Sequence, residues 1–378
     1  MNRILGHCTR IGVSPFAIGV GLTLLFQSDS VFAIKPDAPR IQAEAKAGSI
    51  EDETKLGAAY LVGHGVAQDE KQAAYWYEKA ANSGDPNAQK QIGYLYEVGL
   101  GVPRDPVRAI RWFERAVAGG NVNAKVDLGV AYMWGLGVRK DLDLSSQFFR
   151  EAAEKGVGLG ACYLGDMYYF GNGVAKDEAA ARHWYETGAK LHDPMSEYRL
   201  GVLRSEDRSN VPELRRAAQN FRDSVGAGYV PAMYALGLLL VRVPNLKLPQ
   251  DHPVDLLREA SAAGSWRASM ILGVLSRDGR EVSADRRTAY YQFVLAKLQG
   301  GEAKTALLAA DLQILSGILG AAQAQAVESE AAAWYQKHHI PLEFVYKDGD
   351  NWKKFPLYAI QYPESDVHAG KIVTDPPS

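Results

Sequence analysis

The feature that most constrains this chain is a glycine that returns every 36 residues: Gly57, Gly93, Gly129, Gly165, Gly201, Gly237 and Gly273, each behind a leucine or isoleucine. A fixed period of that length marks a repeat array, in which one small unit that cannot bury its own apolar face is stacked on copies of itself. The 378 residues and 47% hydrophobic content are enough for such an array.

Aligned at this period, the columns have distinct characters. One reads Tyr77, Phe113, Phe149, Tyr185, Phe221, Leu257, Phe293; four positions earlier stand Ala73, Ala109, Ser145, Ala181, Ala217, Pro253, Ala289; three positions later stand Ala80, Ala116, Ala152, Gly188, Ser224, Ala260, Ala296. Small, large and small residues at that spacing share one face of a helix, the second of each unit. Its start is marked by Asp69, Asp105, Asp141 and Asp177, as capping acids. Glu213 and Asp285 occupy that column later.

The first helix of each unit carries the periodic glycine, with a small residue five positions before it: Ala88, Ala124, Gly160, Ser196, Ala232 and Ala268. A glycine inside a helix costs about 1 kcal/mol relative to alanine. Seven in register therefore need a compensating gain, and the expected one is close approach of the second helix, its aromatic ring lying where no Cβ stands. Between the helices, four units carry Gly-x-Gly-Val, at Gly63–Val66, Gly99–Val102, Gly135–Val138 and Gly171–Val174. These glycines suit helix stops with positive φ, with the valine turned into the core. A phosphate cradle is the weaker reading, because no strand precedes them and no Lys-Ser/Thr follows.

With the Leu-Gly-x-x-Tyr, Gly-x-Gly-Val, Asp, Ala-x-x-Trp-Tyr/Phe and Ala-Ala-x-x-Gly series in place, the chain resembles the Sel1-like repeat family, a branch of the tetratricopeptide superfamily. Ordinary tetratricopeptide repeats have a period of 34 residues, so the observed 36 separates the branches. The resemblance implies an all-α fold, a right-handed α-solenoid of antiparallel helix pairs, used as a scaffold or adaptor for protein partners, often in bacterial envelopes or secretion. Seven repeats are expected over 49–300, a degenerate eighth serving as C-terminal cap over 301–339, and an irregular tail over 340–378. Repeats five to seven depart from the pattern, losing the Gly-x-Gly turn and replacing Tyr60, Tyr96, Tyr132 and Tyr168 by Arg204, Leu240 and Ser276. In the tail, Leu342 to Tyr346 reads as a strand and Lys347 to Asp350 as a turn; Phe344, Tyr346, Trp352 and Phe355 are expected to pack back on the array.

The first 33 residues have a different character. Arg3 and Arg10 precede an apolar run from Ile11 to Phe26, and Val31-Phe32-Ala33 offers small residues before Ile34. This reads as a cleaved signal peptide, followed by a linker over 34–48; an uncleaved anchor and a lipoprotein through Cys8 are the alternatives. Cleavage would leave Cys162 as the sole cysteine, read as a small buried hydrophobe. The expected location is exported, periplasmic in the first instance, with secretion as the alternative.

A formal net charge of −2 gives no basic bias toward nucleic acid. The histidines have no His-x-x-x-His spacing and no Gly-x-Ser-x-Gly elbow occurs, so no metal, cofactor or catalytic residue is expected. Membrane association is expected only through a partner or an uncleaved signal, and the oligomeric state is left open. The candidate partner contacts are polar and aromatic residues on first helices: Gln91, Tyr94, Lys125, Asp127, Met133, Asp166, Tyr169, Tyr198 and Arg199. The function read from these features is a non-enzymatic exported scaffold binding a protein partner in the cell envelope, in an assembly such as polysaccharide export, motility or signalling. The alternatives are a secreted host-interacting factor, or a carbohydrate-binding or hydrolytic protein using the groove.

Overall fold

The computed structural model describes residues 43, 45–63 and 65–338, and the backbone of two strands at 343–348 and 351–356. The expected signal segment, most of the linker and the proline-rich end lie outside the described residues. From Ile50 to His338, sixteen α-helices follow one another. The chain divides into two compact units at Glu206 and Asp207.

The first unit holds α1 (Ile50–Val62), α2 (Glu70–Asn82), α3 (Pro86–Val98), α4 (Pro106–Ala118), α5 (Ala124–Trp134), α6 (Leu142–Glu154), α7 (Gly158–Phe170), α8 (Glu178–Lys190) and α9 (Pro194–Arg204). Each second helix starts as expected. The carboxylates of Asp69, Asp105, Asp141 and Asp177 accept from backbone N–H groups two or three residues on, satisfying donors that a helix start leaves unpaired.

The second unit holds α10 (Val211–Gly226), α11 (Val230–Arg242), α12 (Pro253–Ala262), α13 (Trp266–Asp278), α14 (Arg286–Thr305), α15 (Ala309–Leu319) and α16 (Ala321–His338). Asp285 caps α14 in the same way, whereas α10 corrects the expectation for Glu213. Its cap is Asn210, which accepts from the Glu213 N–H, and Glu213 lies inside the first turn.

The periodic glycine does what its cost demands. A Cβ built on Gly57, Gly93, Gly129, Gly165 or Gly273 would stand 2.9, 2.7, 2.5, 2.6 or 2.5 Å from the ring of Tyr77, Phe113, Phe149, Tyr185 or Phe293, and on Gly237 it would stand 2.8 Å from Leu257 Cγ. These side chains are almost completely buried. Burying a large apolar side chain contributes about 1.5–3 kcal/mol, more than the roughly 1 kcal/mol the glycine loses in helix propensity.

The small columns join one repeat to the next. A Cβ on Gly160 of α7 would stand 2.8 Å from Ala152 Cβ of α6, and one on Gly188 of α8 would collide with the Ser196 hydroxyl of α9. The second glycine of the later turns has an inter-repeat role of the same kind. A Cβ on Gly101 would overlap the backbone carbonyl of Glu70 at the start of α2, and one on Gly137 that of Pro106 at the start of α4. Both glycines of the turn also take positive φ, 75° and 72° at Gly99 and Gly101. The turn valines are only half-buried; in the second turn Leu100 is the residue that enters the core.

At the end of the second unit the pattern changes. Gly301 breaks α14 with a non-helical φ of 75° and ψ of 165°, and α15 is preceded by a 3-10 turn over Ala306–Leu308. Gly320 alone joins α15 to α16, so the inter-helix loop of a regular repeat is absent there. Leu308, Leu315, Ala324, Val327 and Ala331 are buried in the core of this unit. The strands β1 (Glu343–Asp348) and β2 (Asn351–Pro356) pair antiparallel, with Phe344 opposite Phe355 and Asp348 opposite Asn351. The strand therefore runs through Lys347 and Asp348, which the sequence reading assigns to the turn. The side-chain packing expected for the tail lies outside what is described.

Candidate partner-binding face

Beside the glycine face and the small-residue faces, one strip each of α3, α5 and α7 is only half-buried. It carries Tyr94 and Val98 on α3, Val130, Met133 and Trp134 on α5, and Tyr169 and Phe170 on α7, all half-buried. Val98, Trp134 and Phe170 occupy the same position of the 36-residue unit, as do Met133 and Tyr169, so repetition sets them in rows. Half-buried aromatic and thioether side chains in rows offer apolar contact area.

Charged groups line this strip. Lys90 Nζ, itself buried, lies 3.6 Å from Asp127 Oδ2, and that oxygen is buried without a hydrogen bond. Burial raises the Asp127 carboxyl above its ordinary range, with Lys90 pulling the other way. Glu97 is pushed up to about 7, first by burial and then by Asp127, with Arg104 and Lys90 opposing. Burial, then Glu97 and Asp127, likewise raise the Tyr94 phenol. Arg104 stays beside Glu97, its Nε donating to the Glu97 backbone carbonyl at 2.8 Å.

The nine residues expected at the contact face separate into two groups. Gln91, Tyr94, Asp127, Met133 and Tyr169 lie on the open strip or its border, half-buried. Lys125 is also half-buried but is held by an ion pair to Glu151 of α6. The Tyr169 hydroxyl donates to Glu206 at 2.7 Å. Asp166, Tyr198 and Arg199 are instead buried, which corrects their assignment to an accessible surface. Arg199 grips Asp166 with two nitrogens at 2.9 and 3.0 Å, and the Tyr185 hydroxyl donates to the same carboxylate at 2.7 Å. Burial raises Asp166, while Arg199 and Tyr185 draw it back. Such an arrangement holds repeats four and five together: the partners lie on α7, α8 and α9. Cys162 is buried beside it, its thiol raised by burial.

Glu97 was not legible as a site residue, because its column reads Glu97, Met133, Tyr169 and Ser205. Its significance comes from Asp127, which only stacking brings near. The tyrosine column also has a structural use. Tyr96 donates to Glu78 at 3.2 Å and Tyr168 accepts from Arg150 at 2.8 Å, each pairing with the preceding repeat's second helix. Arg204 keeps that pairing in the sense of Tyr96, its guanidinium donating to Glu186 at 3.3 Å.

Comparison with known proteins gives consistent relatives. The family model described as Sel1 repeat matches residues 51–85, 86–121, 122–157 and 159–193. A Sel1 repeat protein from Oxalobacter formigenes is 30% identical over 57% of this chain and 89% of its own, with a TM-score of 0.51. A protective antigen of uropathogenic Escherichia coli strains displaying an SLR fold is 24% identical, covering 80% of this chain and 79% of that one, at a TM-score of 0.44. An immunity protein from Pseudomonas aeruginosa is 20% identical over 50% of this chain and 70% of its own, at a TM-score of 0.40. No curated protein matches.

Proposed function

This chain belongs to the Sel1 repeat family, whose repeats form scaffolds for protein–protein interaction, and from that premise we propose that it binds its partner through the open strip of α3, α5 and α7. The observation that carries the reading is the half-buried state of Tyr94, Val98, Met133, Trp134, Tyr169 and Phe170, which repetition sets in rows on α3, α5 and α7. Aromatic residues carry a disproportionate share of binding energy at interfaces. The chain acts without catalysis in this reading, its polar clusters being committed to structure.

We further propose export, on the basic start, apolar run and small residues of the first 33 positions, and a role in organising an assembly of the bacterial envelope. No helix among the described residues is long and apolar enough to cross a membrane. Any membrane association in this reading comes through the partner or an uncleaved signal.

The test is affinity capture from envelope extract by residues 34–378, beside the same chain with Tyr94, Met133 and Tyr169 changed to alanine. A protein captured by the first and lost by the second supports the proposal. Capture that is unchanged in the second, or recovery of glycan with no protein, overturns it. Fractionation of cells expressing the full chain tests export separately: material retained in the cytoplasm with residues 1–33 intact would sink that part.

A further inference from the structure

We propose that the outer face of α15 is a dimerisation surface, on which a second copy of this chain packs by the same face about a two-fold axis. It lies in the second compact unit and does not rest on the strip of α3, α5 and α7.

The face is apolar, exposed and free of charge. Leu307, in the turn before α15, is 50% exposed, Ile314 61% and Ile318 50%. Helical spacing sets them on one side with Ala310 and Gly317, away from Leu308 and Leu315, which enter the core. From Ala306 to Val327 the sequence has one ionisable side chain, Asp311, and Arg277 holds it at 2.6 Å. Contiguous exposed apolar surface marks an interaction site.

What this face fits follows from how the repeats stack. On α7, Tyr163 stacks on Phe149 of the preceding repeat, while the residues five before and three after it meet the following repeat. A Cβ on Gly158 would stand 2.6 Å from Asp193 Cβ, and Asp166 pairs with Arg199. On α15 the buried Leu315 takes the place of Tyr163; Ala310 and Ile318 stand five before and three after it, with Ile314 between them. The exposed stripe is thus the side on which a following repeat stacks. After α16 the chain pairs as the strands β1 and β2 and not as another helix pair. A second copy offers the same acceptor face, and a charge-free surface lies on itself without stranding an ionised group.

Gly317 gives an independent indication. The periodic glycines of α1, α3, α5, α7 and α13 each have a ring in their notch, whereas a Cβ added to Gly317 would meet nothing within 4 Å. In the single chain this glycine lowers helix propensity with no close approach in return. An isoleucine of the second copy seated in the notch supplies that approach. One helix face is smaller than the roughly 800 Å² per partner of a standard interface, so a reversible dimer is expected.

The experiment is sedimentation velocity on the protein purified from cells expressing the full chain, from about 1 to 200 μM. A reversible shift from one chain to two is expected in that range. It should weaken at least about tenfold in Ile314→Glu, which sets a carboxylate on the apolar face, and stay unchanged in Val107→Glu, a comparably exposed change on α4. Gly317→Gln serves if Ile314→Glu fails to fold. Its side chain meets open space in the single chain, so the melting temperature should hold, while association falls by about fivefold or more as the notch fills. An equimolar mixture of Ile314→Glu and Ile314→Lys should associate more tightly than either alone. A single chain at every concentration overturns the proposal; joined to a lowered melting temperature in Ile314→Glu, it would assign the stripe to residues 339–378 of the same chain. A dimer indifferent to both Ile314→Glu and Gly317→Gln, or growth beyond two chains, overturns it as well.

Discussion

Replacing Gly129 by alanine sets two effects of opposite sign against each other. Alanine is the better helix former by about 1 kcal/mol. Here, however, the added methyl would stand 2.5, 2.7 and 3.0 Å from Cε1, Cδ1 and Cζ of Phe149. Carbon atoms at their best separation lie about 3.5–4.0 Å apart, so the ring must retreat by about 1 Å. Little room exists for that: Phe149 is fully buried and stacks on Tyr163 at 4.9 Å. The two helices are also tied by the Ser145 hydroxyl, which donates to the Gly129 carbonyl at 2.7 Å. Overpacking of this kind costs about 1–3 kcal/mol, and the depth of the clash places it at the upper end. The net expectation is a loss of about 2 kcal/mol, read as a lower urea midpoint by circular dichroism. Pairing Gly129→Ala with Phe149→Leu should recover at least about 1 kcal/mol relative to the sum of the single changes. A Gly129→Ala chain as stable as the native one would refute the reasoning, because helix propensity alone would then be deciding the outcome.

Three other perturbations have defined directions. Arg199→Met strands the Asp166 carboxylate in the interior and should cost about 3–5 kcal/mol in chemical denaturation, while adding Asp166→Asn should restore part of that; a double variant weaker than the single one argues against the ion pair. Asp193 caps α9 from a buried position, and burial pushes its carboxyl up to about 6, above the ordinary 3.8. Between those values the folded chain holds a proton that the unfolded chain has lost, so this group's contribution to stability falls as pH rises. Asp193→Asn, which keeps the acceptor for Ser196 N–H, should stabilise the chain by up to about 3 kcal/mol at neutral pH and leave it unchanged near pH 4; equal effects at both pH values contradict this. Gly101→Ala should cost about 2–4 kcal/mol through positive φ and collision with the Glu70 carbonyl, whereas Gly84→Ala, with φ of 100° but open space around it, should cost only about 1 kcal/mol. Equal melting shifts for the two would deny the inter-repeat contact.

Much of the framework was legible because a strict period turns each column into one structural environment. The glycine column and the aromatic column could be paired from spacing alone, and the caps at Asp69, Asp105, Asp141 and Asp177 follow from local backbone chemistry. What escaped was decided between repeats. The second turn glycine faces a carbonyl of the preceding unit, and no local pattern marks that. Asp166 and Arg199 read as surface residues since charge usually stays in water; they are buried because each neutralises the other. Arg204 read as a lost tyrosine, yet it meets the same neighbour position through Glu186 instead of a tyrosine hydroxyl. Glu97 and Asp127 acquire their joint chemistry only by stacking, which is why the candidate face was half visible and its charge was not.

The central claim is that the partner sits on the first helices and not on the second. A photoreactive benzoylphenylalanine placed singly at Tyr94, Met133 or Tyr169, and at Tyr75 on α2 as an exposed outer control at 56% accessibility, tests it directly in cells. Crosslinked protein adducts at the three first-helix positions and none at Tyr75 are the predicted result. Adducts at Tyr75 with silence at Tyr94, Met133 and Tyr169 would contradict the account.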